Sequence, residues 1–265
     1  MKGNILKKIR YLREYILRLL YPPKCIFCGK ILDLNTKYEI CRECYKCLKF
    51  IREPIISTNR IHPSGHAPFA QTRQSEEWNK RGCECVVCVF EYCGIIRESL
   101  MRFKFFDKPS YYRTLGLLLA EKIIEVAGND ENFVFDLILS VPLHVQRERQ
   151  RGYNQARLIA LCVSEATGVP YANDVIQRVV NTRPQSLLGK ESRYSNISGA
   201  FEVVKPHIVK DKRIMIIDDI MTTGATLDEC AMTLISAGAV KVFGGVIASG
   251  RDVGITARRK EDLYD

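Results

Sequence analysis

No stretch of this 265-residue chain reaches the ~18 uncharged apolar residues that a membrane-spanning helix needs, which excludes a membrane span on sequence grounds. The first residues lack a continuous hydrophobic run, because Lys7, Lys8, Arg10, Arg13 and Arg18 interrupt it. That argues against a secretory signal and for a cytoplasmic protein. Internal repeats and low-complexity tracts are missing. Acidic residues are scarce at one end. Residues 1–60 hold five Asp and Glu against 14 Lys and Arg, whereas residues 61–265 hold 25 against 26. Nearly all of the net charge of +10 therefore sits in the first quarter. Such a region either faces a polyanion, most simply nucleic acid, or is a solvated surface.

What is present divides the chain. At 46% hydrophobic and 26% charged it has the composition of an ordinary globular protein. Residues 2–20 read as a basic amphipathic helix, with Ile5, Ile9, Leu12, Ile16, Leu19 and Leu20 at spacings of three and four, ended by Pro22-Pro23. It can pack on its own protein, on nucleic acid or on a membrane surface. The expected organisation is this helix over 1–21, a cysteine module over 22–50, a linker or insert over 51–89, and a larger domain over 90–265. In the last part, helices are expected at 95–106, 112–127, 153–167 and 225–237. Strands are expected at Val134–Val141, Arg213–Ile217 and Val240–Ala248, and a polar loop at 181–199. That alternation argues for an α/β fold with a parallel sheet flanked by helices.

Nine of the eleven cysteines lie in the first 93 residues. Clustered cytosolic thiols point to metal rather than disulfides. Cys25, Cys28, Cys41 and Cys44 form two CxxC pairs twelve residues apart. Four thiolates suit tetrahedral Zn²⁺ and leave no open position, so the site would be structural; the alternative is a set of free or redox-active thiols. Cys47 reads as a bystander. Cys83, Cys85, Cys88 and Cys93, with His62 and His66, leave open a second zinc or a degenerate remnant. Tyr21, Phe27, Tyr38, Tyr45 and Phe50 lie among the basic residues and serve either base stacking or the module's own core.

The segment Ile214-Met215-Ile216-Ile217-Asp218-Asp219-Ile220-Met221-Thr222-Thr223-Gly224-Ala225-Thr226 carries the most chemistry. An apolar strand ends in two acids, and a Thr/Gly loop opens a helix. Backbone N–H groups at a helix start, with the hydroxyls of Thr222, Thr223 and Thr226, can wrap a phosphate monoester. Gly224 lets the backbone approach closely. Asp218 and Asp219 can accept hydrogen bonds from a sugar diol or reach its metal through water. The pattern fits a sugar 5-phosphate held by its phosphate and its hydroxyls together.

This run resembles, position by position, the phosphoribosyl pyrophosphate (PRPP) signature of type I phosphoribosyltransferases. Ser140-Val141-Pro142-Leu143-His144, then Arg151-Gly152-Tyr153-Asn154-Gln155-Ala156, then Arg178 with Thr182, Gln185, Arg193, Asn196, Gly199, Ala200 and Phe201, resemble the ComF family. So does the cysteine module. The likeness covers roughly residues 22–250. It departs at 47–93, where relatives often show a complete second cysteine finger. The resemblance implies a type I phosphoribosyltransferase fold with an N-terminal zinc-binding module. It implies 5-phosphate binding by Thr222, Thr223, Gly224, Ala225 and Thr226, with Asp218 and Asp219 as the catalytic acids. It also implies Mg²⁺ as partner of PRPP, and a loop over Val141–Arg151 that holds the pyrophosphate. There Pro142, Leu143, Arg147, Arg149 and Arg151 stand, Asn154 and Gln155 just after them could orient substrate or the loop, and a hood over 181–196 would add Arg183, Lys190 and Arg193. ComF-like proteins are associated with competence, so single-stranded DNA and a DNA-uptake machinery are the implied partners. The alternatives are a phosphoribosyltransferase with a nitrogen acceptor, or a PRPP-sensing regulator without turnover. No general base is evident; His144 qualifies only by position.

Overall fold

A computed structural model describes residues 19–56, 82–105, 110–180, 197–250 and 256–257. The expected helix over 2–20, apart from its last two residues, lies outside them. So do His62, His66 and the hood with Arg183, Lys190 and Arg193.

In chain order the elements are α1 (Arg42–Lys46), β1 (Phe50–Ile51), β2 (Ile55–Ile56), β3 (Cys85–Glu91), α2 (Gly94–Phe105) and α3 (Tyr111–Asn129). Next come β4 (Leu137–Ser140), α4 (Val145–Arg151), α5 (Gln155–Thr167), β5 (Ile176–Arg178), β6 (Phe201–Val203) and α6 (Pro206–Val209). The last described elements are β7 (Arg213–Met221), α7 (Ala225–Ser236), β8 (Lys241–Ser249) and β9 (Thr256–Ala257). A seven-stranded sheet runs β4-β7-β8-β3-β1-β9, with β2 also on β3. The β4–β7, β7–β8 and β8–β3 pairs are parallel; those of β1 and β2 are antiparallel. Among the described residues no helix is long and apolar enough to cross a membrane.

Strand alternation sorts the core into two layers. Met215 and Ile217 of β7 bury with Leu115, Leu119 and Ile123 of α3 and Ile159 and Val163 of α5. Ile214 and Ile216 bury on the other face with Leu227, Cys230, Ala231 and Leu234 of α7. The central strands are apolar on both faces, as a sheet covered by helices on both sides requires. After β4 the chain crosses by α5 and returns beside β4 at Tyr171, which bridges Ile138 in parallel. After β7 it crosses by α7, on the opposite face, to β8. The two neighbouring strands thus send their chains in opposite directions, and the cleft between their carboxyl ends is where such sheets bind ligands.

Several boundaries differ from the sequence expectation. The strand expected at Val134–Val141 begins only at Leu137. β7 continues past Ile217 to Met221, because β8 pairs with it through Met221↔Ser249 after β4 has ended opposite Ile217. Asp218 and Asp219 therefore lie within the strand, on opposite faces, rather than after it. The stretch expected as a loop from Val141 to Arg151 is a helix from Val145, capped by His144, whose Nδ1 accepts from the Gln146 N–H at 3.4 Å. His144 is thereby a helix cap. The segment expected as insert over 51–89 supplies β3, whose residues Val86–Glu91 align with Gly244–Ser249 of β8.

The cysteine module is fused to the larger domain. Ile26, Phe27, Tyr38, Ile40, Tyr45, Leu48 and Phe50 share one buried cluster with Leu100 and Phe103 of α2 and Leu115 and Leu118 of α3. Phe50 and Phe90 rings lie 4.8 Å apart. Polar ties add to this: Arg102 to the Phe27 carbonyl at 2.9 Å, the Glu39 N–H to Thr114 Oγ1 at 3.1 Å, and Lys37 to Glu121 at 2.7 Å. Tyr38 also donates to Glu121. Burial and that bond push the Tyr38 hydroxyl up to about 12.

Candidate ligand cleft and zinc centre

In the metal centre, the Sγ atoms of Cys25, Cys28, Cys41 and Cys44 all lie within 4.8 Å of one another, with Cys28 and Cys41 at 3.6 Å. A tetrahedron with Zn–S bonds of ~2.3 Å has edges of about 3.8 Å, so the four thiols fit a zinc ion. The first knuckle closes through the Cys25 N–H to the Lys30 carbonyl and the Gly29 N–H to the Cys25 carbonyl, both 2.8 Å. Gly29 stands at φ +78°, where a side chain would be strained. The second pair sits on α1, with Cys41 as N-cap and its Sγ accepting from the Cys44 N–H at 3.4 Å. A backbone hydrogen bond at Lys30 lowers the Cys28 thiol to about 7, while burial raises Cys44. Cys47 is exposed, its thiol donating to the Glu43 carbonyl.

The second cysteine group has no such geometry. On a strand, residues three apart face opposite ways. Cys88 is buried in the α7-side cluster, whereas Cys85 packs on the α3 side. Cys83 is buried with Cys88, and Cys93 is exposed. Among the described residues only the first four cysteines converge. Four of the five aromatics near the basic residues, Phe27, Tyr38, Tyr45 and Phe50, are buried core; Tyr21 is 78% exposed.

At the carboxyl ends of β4 and β7 lies a cavity of about 540 Å³. It brings together Pro142, Leu143, Arg147, Arg151, Asn154, Gln155, Asp218, Asp219, Thr222 and Thr226 from the sequence-derived set. Gly224 N-caps α7 at φ +86°, and Thr223 Oγ1 accepts from the Ala225 N–H at 3.4 Å. The loop thus turns sharply into a twelve-residue helix that starts beside the cleft, with Thr222 and Thr226 in its lining.

Asn154 and Gln155 act on protein rather than facing the cleft freely. Asn154 Nδ2 donates to the Val141 carbonyl at 3.1 Å, while its Oδ1 caps α5 at the Arg157 N–H. Gln155 accepts from Arg151 Nη1 at 2.7 Å and donates to the Phe103 carbonyl at 3.4 Å. This orients Arg151 and ties the β4 exit to the end of α2. Arg149 is exposed and outside the lining.

Three lining cations come from segments to which the sequence reading gave no site role. Lys104 and Arg97 come from α2, and Arg178 from β5, its guanidinium 5.5 Å from the Phe201 ring centroid. Lys104 Nζ lies 2.8 Å from Asp219 Oδ2. Burial, then the charge of Arg151, lowers the Arg147 pKa; burial, then Arg147, lowers Arg178. Cations gathered around one cavity suit a polyanion. Asp218 is pushed up to about 7 by burial and then by the Asp219 charge, with Lys104 opposing. The Arg178 signal was present in the family likeness; nothing in the spacing marks Lys104.

The comparisons agree with this architecture. Residues 144–260 match the phosphoribosyl transferase domain, and residues 16–55 the double zinc ribbon domain. The chain is therefore a type I phosphoribosyltransferase-fold protein with an N-terminal zinc ribbon and its four-cysteine cluster. Over most of its length the chain is similar to proteins named for competence and for DNA utilization. It is 29% identical to competence protein F of Haemophilus influenzae, over 80% of this chain and 90% of that one. It is 28% identical to competence protein ComFC of Bacillus subtilis, over 77% and 81%. It is 25% identical to the DNA utilization protein YhgH of Escherichia coli, over 84% and 96%.

Proposed function

We propose that this protein binds Mg²⁺-complexed PRPP in the β4/β7 cleft and acts in the cytoplasm on imported single-stranded DNA during natural transformation. One observation carries the ligand reading. Thr222 and Thr226 at the start of α7, the acids Asp218 and Asp219, and the four guanidinium groups of Arg97, Arg147, Arg151 and Arg178 line one cavity of about 540 Å³. Thr222–Thr226 would take the 5-phosphate. Asp218 and Asp219 would take the ribose hydroxyls, directly or through the metal. Arg147, Arg151 and Arg178 would take the pyrophosphate, with Arg183 and Arg193 as further candidates from the hood. Bound Mg²⁺ would neutralise the diphosphate.

The DNA reading rests on the relatives named for competence and DNA utilization, and on exposed Lys24, Arg42 and Lys46 around the zinc ribbon. Transfer of phosphoribose to a nitrogen acceptor is the enzymatic alternative.

Calorimetric titration of Mg²⁺–PRPP into zinc-replete protein, with ribose 5-phosphate as control, tests the site. Micromolar binding that Asp218→Ala/Asp219→Ala abolishes supports it; no binding by the folded protein refutes it. Single-strand binding that weakens steeply with salt, as counterion release requires, supports the DNA role. Binding indifferent to salt removes it.

A further inference from the structure

Lys104 is already paired with one of the acids the ligand needs. Its Nζ is 2.8 Å from Asp219 Oδ2, and the two side chains are only 21% and 9% exposed. The pair is built in by the fold. Asp219 lies on the α2 side of β7, and the last turn of α2 brings Lys104 over it. Phe103, the residue before, is fully buried, and its carbonyl accepts from Tyr153 and Gln155. The end of α2 is thereby tethered to the β4 exit and has little freedom to swing away.

Resting on the reading of this cleft as a Mg²⁺–PRPP site, we propose that Lys104 is a specificity-determining residue that keeps free divalent cations off the acid pair. Two carboxylates lining the same cleft would otherwise attract such an ion. A tethered ammonium neutralises one of them, and a hydrated Mg²⁺ gives up water reluctantly for the single carboxylate that remains. A metal that arrives chelated to a diphosphate changes the balance. It brings anionic oxygens that accept Lys104 while the metal or the sugar diol takes over Asp219. Charge is exchanged with none left uncompensated. The consequence is binding order: the metal enters with the ligand, not before it.

The test uses Mn²⁺ alone, followed by the electron paramagnetic resonance signal of the free ion, with no PRPP present. Wild-type protein is expected to bind weakly. Lys104→Gln is expected to bind about tenfold more tightly, the scale on which partly buried ion pairs act. Lys104→Arg keeps the cation and should behave as wild type. Adding Asp219→Asn to Lys104→Gln should remove the gain. Wild-type binding as tight as that of Lys104→Gln overturns the proposal, and so does a folded Lys104→Gln protein that gains nothing. Should Lys104→Gln fail to fold, Lys104→Met keeps the apolar stem and is read by the same outcomes. Failure of PRPP to bind would refute the proposed function and leave the Mn²⁺ result standing.

Discussion

Arg102 Nη1 donates to the carbonyl oxygen of Phe27 at 2.9 Å, so the helix that brings Lys104 into the cleft also clasps the first zinc knuckle. Phe27 lies between Cys25 and Cys28, and α2 carries Arg97, Met101 and Lys104 along the cavity wall. The zinc ribbon and the ligand cleft are thus two ends of one packed unit.

Removing the zinc should therefore be felt throughout the protein. Chelation, or Cys25→Ser with Cys44→Ser, is expected to lower Tm by at least about 6 °C, the shift that ~3 kcal/mol produces in a chain of this size. Differential scanning calorimetry should show one transition moving, since ribbon and domain share a buried cluster. A separate early transition that leaves the main one in place would show that the ribbon is an independent appendage.

Gly224 holds φ +86° at the start of α7. Gly224→Val should cost about 1–2 kcal/mol, the penalty of a left-handed conformation for a residue with a Cβ, as read from a urea denaturation midpoint. Its effect on PRPP should be larger, because the side chain also blocks the backbone's approach to a phosphate. A variant with reduced stability and full affinity would place the phosphate elsewhere.

Gly116 of α3 faces Cys162 of α5. A Cβ built on it would meet Cys162 Cβ at 2.7 Å and Sγ at 2.9 Å. Gly116→Ala should destabilise by about 1–3 kcal/mol through overpacking, despite alanine's better helix propensity. Cys162→Gly in the same chain should recover part of the loss. Urea denaturation of the single and double variants measures both.

The apo protein should become less stable as pH rises from about 4 to about 7. Asp218 is pushed up to about 7 in the fold, against an ordinary carboxylate value near ~4 when unfolded. Between these values the native state holds a proton that the unfolded state has lost, so stability falls with rising pH and levels off above. Asp218→Asn should flatten that slope and be the more stable protein near pH 8. An unchanged slope in thermal melts would show that the carboxyl is not responsible.

The two chemical centres were legible in very different ways. Cys25, Cys28, Cys41 and Cys44 declare themselves because knuckle geometry is local: two turns and a fixed spacing suffice. The Ile214–Thr226 run is legible for the same reason, since strand, acids, glycine turn and helix start are consecutive. The extent of β7 was not, because it depends on how far β8 accompanies it. Likewise, the Cys85/Cys88 pair has the spacing of a knuckle but lies in a strand, where residues three apart diverge. The pair's own residues do not reveal that β8 pairs with them.

The sequence by itself determined which chemical groups the protein can muster: a four-thiol metal centre, a phosphate loop, an acid pair and a supply of arginines. These follow from contacts between residues close along the chain. Only the tertiary structure decided how they are combined. It set Lys104 on Asp219 across more than a hundred residues, brought Arg178 in from a separate two-stranded sheet, and buried the ribbon's aromatics against α2 and α3. Such pairings arise from the packing of whole elements, for which no local spacing carries a signal.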